Sequence, residues 1–263
     1  MTVIRSRANP QAQRWRRLVR DGRMRRREGR ALIEGPHLVE AYRERHGAPV
    51  ALLVSERGME RDEVARIVAR SEVTPVVLSD ALFRTIADTE TPVGVAAEIP
   101  IPGTRADLAA SQACLFLEGI QDMGNLGAIL RSAAAFGVLD VVLARGCADP
   151  WAPKALRAAM GAHFAVRVSQ TEDLGESIGR FGGRVICTMP HRGTALHALD
   201  LTGRVGWIFG AEGRGVSEAT AGRAALIATV PMAAGAESLN VAAVVAICLY
   251  ERARQLKTGA SRS

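Results

Sequence analysis

Near its end the chain runs Val230-Pro231-Met232, passes through small residues to Glu237-Ser238-Leu239-Asn240, and enters an apolar run from Val241 to Tyr250. A strand that stops at a proline, then a loop, then a helix opened by serine and asparagine predicts a helix start whose backbone donors are capped or offered to a ligand. Taken alone, a capped core helix of any two-layer α/β domain has the same signature. Two upstream stretches share the build. Leu117 to Arg131 and Trp207 to Val216 each begin as an apolar strand run broken at once by glycine and polar residues. Each therefore sets a loop at the carboxyl end of a strand, where open α/β sheets bind ligands. Three such loops in one domain predict a site.

Three sets of residues lie in these loops: Asn125 with Gly127 and Arg131, then Gly210-Ala211-Glu212-Gly213, then Pro231-Met232 with Ser238-Leu239-Asn240-Val241. In order and spacing they resemble the three motifs of the SpoU/TrmH family of RNA 2′-O-ribose methyltransferases, over residues 112–256. The resemblance implies an α/β fold of the SPOUT type: a mostly parallel sheet with a C-terminal trefoil knot, preceded by a small α/β substrate-binding domain. Knots are rare in proteins, and periodicity could not have suggested one. It also implies S-adenosylmethionine as cofactor, held in the knot largely by backbone groups at Gly210, Val230 and Leu239. The family's essential arginine falls on Arg131. A guanidinium does not readily give up its proton, so Arg131 is expected to bind the RNA phosphate and steer the 2′-oxygen, with the general base left open. Asn125 is expected to orient that phosphate or Arg131, to cap its helix, or both. Glu212 is expected to brace the site by pairing with an arginine, while Ser238 and Asn240 cap the last helix or contact substrate. That helix is apolar almost all round from Val241 to Leu249, so one covered face would not bury it. With the family's habit of pairing, this predicts a homodimer with active sites at the interface.

The rest of the chain fits this reading. Its 263 residues suit one large domain or a small and a medium one, and the change of character near Pro100 favours two. A net charge of +7 points to a polyanionic partner such as RNA or DNA. The charge is densest in residues 1–30, where Arg23, Arg25, Arg26 and Arg27 are the named candidates for RNA contact. A solvated helix face and an arginine-rich transit peptide are the competing readings. Trp15 among these arginines could stack on a base or anchor its helix to the core. Residues 31–98 read as a small α/β module. Leu32-Ile33-Glu34-Gly35 and Thr91-Pro92-Val93-Gly94 resemble the ribosomal-protein-like substrate-binding domain that precedes many SpoU catalytic domains. Ile99-Pro100-Ile101-Pro102-Gly103 predicts a linker over 99–111, since two prolines and a glycine resist helix and ladder alike. The methyltransferase domain is expected over 112–256 and a tail over 257–263. Within that domain, strands over 114–117, 140–144, 166–169, 184–189, 205–209 and 226–230 alternate with helices such as 125–136 and 153–160. This alternation predicts a mostly parallel sheet covered on both faces.

Other function classes are weakened. No Gly-x-Gly-x-x-Gly follows the first strand of the second domain, which argues against a nicotinamide enzyme. Cysteines 114, 147, 187 and 248 have no close pairing, and read as free thiols of a reducing compartment. The five histidines have no metal-ligand spacing, so no metal is expected. The run from Val241 to Tyr250 is about half the roughly 20 residues a membrane-spanning helix needs. A soluble, cytoplasmic, membrane-free protein is expected. The reading is thus a methyltransferase acting on a ribose 2′-hydroxyl in structured RNA. Its front domain favours ribosomal over transfer RNA; a catalytically silent RNA-binding protein of the same fold is the alternative.

Overall fold

A computed structural model describes residues 3–103 and 106–260. The chain forms two compact units, Met1–Gly103 with Asp149–Phe164, and Thr104–Ala148 with Ala165–Ser263.

In the first unit the chain enters through α1 (Pro10–Arg20) and α2 (Gly22–Glu28) and continues into β1 (Arg30–Glu34), α3 (Pro36–His46) and β2 (Ala51–Ser55). Then follow α4 (Glu56–Met59), α5 (Asp62–Ala69), β3 (Val76–Leu78), α6 (Asp80–Ile86) and β4 (Val95–Pro100). The strands form one sheet in the order β1-β4-β2-β3. Successive side chains on a strand point to opposite faces, so the near-continuous apolar strands fill two cores. Ala31, Ile33, Leu52, Val54 and Ala97 face one core with Leu38 and Val39 of α3 and Val64 and Ile67 of α5. Leu32, Leu53 and Ala96 face the other with Ala12, Trp15 and Leu18 of α1 and Leu82 and Phe83 of α6. Asn9 caps α1 by accepting from the backbone N–H of Gln11 and Ala12 at 3.0 and 3.1 Å.

The second unit opens with β5 (Ala113–Glu118), α7 (Met123–Ala135) and β6 (Asp140–Ala144). The chain then leaves it for α8 (Pro153–Ala159), which belongs to the first unit. It returns through β7 (Arg167–Thr171), α9 (Leu174–Gly179), β8 (Arg184–Thr188), β9 (Thr194–Ala195) and β10 (Val205–Gly210), and ends with α10 (Glu218–Ala221), β11 (Leu226–Thr229) and α11 (Val241–Ala260). The sheet order is β7-β6-β5-β10-β8-β11-β9, and every neighbouring pair is parallel. The order runs outward one way from β5 through β6 to β7, and the other way from β10. The connections on the two sides of the β5–β10 boundary therefore diverge, and a crevice opens at the strands' carboxyl ends. One face of the sheet packs Phe116, Val142, Cys187 and Ile208 against Leu174 and Ile178 of α9. In α11, Val241, Val245, Cys248 and Leu249 are buried, whereas Ile247 and Tyr250 are exposed at 38% and 57%. Among the described residues no helix is long and apolar enough to cross a membrane.

Several expectations are corrected. The basic segment expected over 1–30 is not separate from the small α/β module: residues 10–28 are two helices of the first unit. Trp15 is fully buried and donates its indole N–H to Glu98 at 2.8 Å, so it does not offer its face to a base. Arg25 is 4% exposed; its guanidinium is spent on Asp149 at 2.7 Å and on the carbonyls of Leu18 and Val19. A buried guanidinium with four of its five donors already used inside the protein is not available to an RNA phosphate. Pro100 ends β4 opposite Arg30 and is not linker. The β2 ladder stops at Glu98, so at Pro100 β4 has a neighbour on one side only, where a missing N–H is tolerated. The helix α11 continues through Ala260, into the expected tail. Residues 104 and 105 of the expected linker, 1 and 2 of the basic segment and 261–263 of the tail lie outside the described residues.

Arg14 makes a two-pronged ion pair with Glu98, both contacts at 2.8 Å, and reaches Glu28 with Nε. Burial alone would raise the Glu98 carboxyl, but hydrogen bonds from Arg14 and Trp15 outweigh it and hold the group below the usual glutamate range. His163 is buried beside Trp151, with Nε2 at 2.6 Å from the Pro150 carbonyl. Burial disfavours its charged form and lowers it to about 4, against partial opposition from that carbonyl and Asp149. The unfolded chain takes up this proton near pH 6.5, whereas the folded chain does so only near 4. Stability therefore falls as pH drops through that window, by at most roughly 3 kcal/mol. Denaturant unfolding at about pH 7 and about pH 4.5 should show the loss, and His163→Phe should flatten it; an unchanged slope would remove His163 as a cause.

Candidate active site

The crevice is built by four loops at carboxyl ends of strands of the second unit. After β10 the chain doubles back at once: Gly215 N–H donates to the Ala211 carbonyl at 2.8 Å, and the two residues form an isolated bridge. A Cβ on Gly210 would lie 2.2 Å from the carbonyl carbon and oxygen of Gly215, so only glycine lets the loop close this tightly. This fold-back projects Glu212 above the end of the sheet. After β5, Gly119 turns with φ +69 and Asp122 caps α7, accepting from the Asn125 N–H at 2.8 Å. Asp122, and not Asn125, is thus the cap, and Asn125 is the third helical residue with its side chain free for other work. After β11, residues 230–240 lead into α11. There Asn240 accepts from the N–H of Ala242 and Ala243 at 2.9 and 3.4 Å, while Ser238 takes no part in the cap.

These loops meet at one amide. Asn125 donates through Nδ2 to Glu212 Oε1 and accepts through Oδ1 from Asn240 Nδ2 at 3.0 Å. Its two ends are thereby used in opposite senses, which fixes the orientation of the amide. Beside this chain lies a cleft of about 420 Å³ bordered by Gly210, Glu212, Val230, Ser238 and Leu239. Phe209, Met232 and Val244 add apolar wall; Thr188 and the arginines Arg192 and Arg214 add polar groups. The volume suits a small-molecule site with few convergent polar groups. Among the described residues, the backbone N–H and C=O of Leu239 enter no hydrogen bond, and both are free for a ligand. The fourth loop is tied in by His191, whose Nε2 lies 3.0 Å from the Glu237 carbonyl.

Arg131 stands apart. It is exposed on α7, about 120° around the helix from Asn125, and it does not border the cleft. Among the described residues Glu212 pairs with no arginine; its partner is the Asn125 amide. Glu118 escaped notice in the sequence although it ends β5 just before the first motif: it accepts from Ser217 N–H, Ser217 Oγ and Thr220 Oγ1, each at 2.8 Å. An acid at the last position of a central parallel strand was the available signal. In the first unit Arg23, Arg26 and Arg27 are more open to solvent than the buried Arg25. Among the described residues no cluster of His, Cys, Asp and Glu could hold a metal ion.

Comparison with known proteins decides the family. Residues 112–250 match the SpoU rRNA methylase family. The chain belongs to that family. Residues 9–97 of this SpoU protein match the MRM3-like substrate binding domain, a match that takes in α1 and α2. It is 33% identical over 254 residues to the 23S rRNA (guanosine(2553)-2′-O)-methyltransferase RlmP of Bacillus subtilis, covering 95% of this chain and 98% of the relative. It is also 33% identical to an uncharacterized tRNA/rRNA methyltransferase of Synechocystis, covering 88% of this chain and 86% of the relative. Among solved structures it is similar to the SpoU methyltransferase AviRb of Streptomyces viridochromogenes in complex with AdoMet: 25% identity, TM-score 0.84, covering 95% of this chain and all of the other.

The glycine at the fold-back leaves no room for a side chain. Gly210→Ala should cost about 2 kcal/mol or more, the range for overpacking against backbone, and should speed amide exchange over 211–216. Unaltered melting and exchange would show that the loop does not need the close approach.

Proposed function

We propose that this chain is an S-adenosylmethionine-dependent methyltransferase that methylates a ribose 2′-hydroxyl in structured RNA, with ribosomal RNA as substrate class. The observation that carries the reading is the meeting of Asn125, Glu212 and Asn240 at the edge of a cleft bordered by Gly210, Val230 and Leu239. Support for ribosomal RNA comes from the near full-length likeness to the Bacillus subtilis 23S rRNA enzyme.

The residues present fit the cofactor. Phe209, Val230 and Val244 offer an apolar slot for a purine ring, and the unpaired backbone of Leu239 offers a donor and an acceptor to its polar edge. Gly210 keeps the floor of the slot free of a side chain. The bound cofactor supplies a methyl group on a sulfonium for in-line transfer to oxygen. The protein's part is to align the 2′-oxygen and ease loss of its proton. Glu212, held by Asn125 through one carboxylate oxygen, borders the cleft. Arg131 binds the phosphate next to the target ribose and favours negative charge on the attacking oxygen.

Because Arg131 lies outside its own chain's cleft, its role calls for a second copy. The exposed apolar side chains Ile247 and Tyr250 of α11, with Leu139 after α7, support pairing through this face. The site would then be shared between protomers, and light scattering at micromolar concentration should give twice the chain mass. An active monomer would contradict this. The trefoil knot belongs to the same proposal, supported by the insertion of β10 between β5 and β8 and by the His191 tie between the loop after β8 and the loop after β11.

Incubation with labelled S-adenosylmethionine and total RNA should place label on a ribose, mostly in ribosomal RNA. Tight RNA binding with no transfer would support the silent binding protein instead. In the same assay Arg131→Ala should lower transfer by roughly a hundredfold or more while cofactor affinity stays nearly unchanged, as expected when a stabiliser of developing charge is removed. Equal loss of both would mark Arg131 as pocket support. Arg23 and Arg26 supply the electrostatic approach to RNA. Replacing both by Gln should make log affinity fall less steeply with log salt, by a slope of roughly one for each phosphate that is no longer neutralised. An unaltered slope would take this face out of the interface.

A further inference from the structure

We infer that Glu118 is a positioning residue of the methyl-transfer site: its carboxylate anchors the loop that carries Glu212. This rests on the reading of Glu212 as a site residue. Glu118 is half-buried at the carboxyl end of β5, beside β10 in the sheet and paired with Gly210 in register. One oxygen accepts from the Ser217 N–H and the other from the hydroxyls of Ser217 and Thr220, all at 2.8 Å. Three donors converge on one carboxylate. Ser217 is also where the fold-back loop ends, since its own Oγ caps α10 by accepting from the Thr220 N–H.

The loop from Ala211 to Val216 is therefore held twice, by the end of β5 and by the start of α7. At its far end Glu118 grips Ser217 and Thr220. Near its beginning Asn125 grips Glu212. Between them the Ala211–Gly215 bridge and the packing of Val216 on the core order the loop, while Gly213, Arg214 and Gly215 are exposed. A short, glycine-rich loop with few buried neighbours stays in one arrangement only where its ends are fixed. A neutral side chain could not serve all three donors as well, because a carboxylate alone accepts at both oxygens. Glutamine comes closest: its oxygen can take the Ser217 N–H while its NH₂ donates to the two hydroxyls.

Two measurements on the full-length protein test this. Amide exchange in Glu118→Ala should rise at Gly215 and Ser217 with little change in the strands, and Glu118→Gln should restore most of the protection. Unaltered exchange at Gly215 and Ser217 would overturn the inference. Methyl transfer in Glu118→Ala should fall roughly tenfold to a hundredfold, the scale of removing hydrogen bonds to a charged acceptor, with partial rescue by Gln. In a Glu212→Ala background the same change should cost only a few-fold, because the two residues act as a unit. Fully additive effects would overturn the link to Glu212. If Glu118→Ala does not fold, Ser217→Ala with Thr220→Ala removes the two hydroxyl donors from the other side, and the same exchange readout decides. Increased loop exchange in Glu118→Ala, with full activity in Glu212→Ala, would support the anchor and reject instead the assigned role of Glu212.

Discussion

One side-chain amide ties the functional half of this molecule together. Asn125 is contributed by the helix after the first central strand, Glu212 by a fold-back after β10, and Asn240 by the cap of the last helix. The latter two lie 87 and 115 positions from Asn125. Their meeting requires that the sheet, the switch in strand order and the return of α11 all be in place. The hydrogen bond to a carboxylate is the stronger of the two, and it turns a mobile acidic loop residue into a fixed one. Asn240 serves twice, since its oxygen caps α11 while its NH₂ holds Asn125.

The parallel sheet makes this convergence possible. All its strands point their carboxyl ends the same way, so every site loop leaves from one edge. With β10 set between β5 and β8, the loops after β5 and β10 become neighbours although roughly 90 residues separate them in the chain. The tolerance of the edge for tight turns is set by glycine: Gly210 permits the fold-back and Gly119 permits the turn that lets Ala211 approach. The cleft at this edge is walled by Phe209, Met232 and Val244, of which Phe209 is also fully buried in the sheet.

Much of this was legible in the residues. The strand runs, the helix starts at Pro36 and Pro153 and the left-handed end at Gly137 follow from local chemistry. The motif residues 125, 210, 212, 230, 238, 239 and 240 do border one cleft or one hydrogen-bonded chain. What was hidden depends on partners far away in sequence. Arg25 reads as a basic surface residue until Asp149 is found beside it, and for Trp15 the burial beside Glu98 decides for the core anchor over the base stack. Pro100 reads as a linker until the ladder of β2 is seen to stop at Glu98. Residues 149–164 continue the alternation of the catalytic half, yet Trp151, Leu156 and Phe164 complete the core of the first unit. Periodicity reports that a face is apolar; it does not report which surface covers it. Arg131 poses the converse case, a residue singled out by motif that its own chain leaves outside the cleft.

The most direct test of the central claim is a crystal structure of the protein with S-adenosylhomocysteine. The account predicts the adenosyl group between Phe209, Val230 and Val244, hydrogen-bonded to the backbone of Leu239, with its sulfur facing the Asn125–Glu212 pair. An adenosyl group bound elsewhere, or bound in that cleft with Asn125, Glu212 and Asn240 drawn apart, would contradict it.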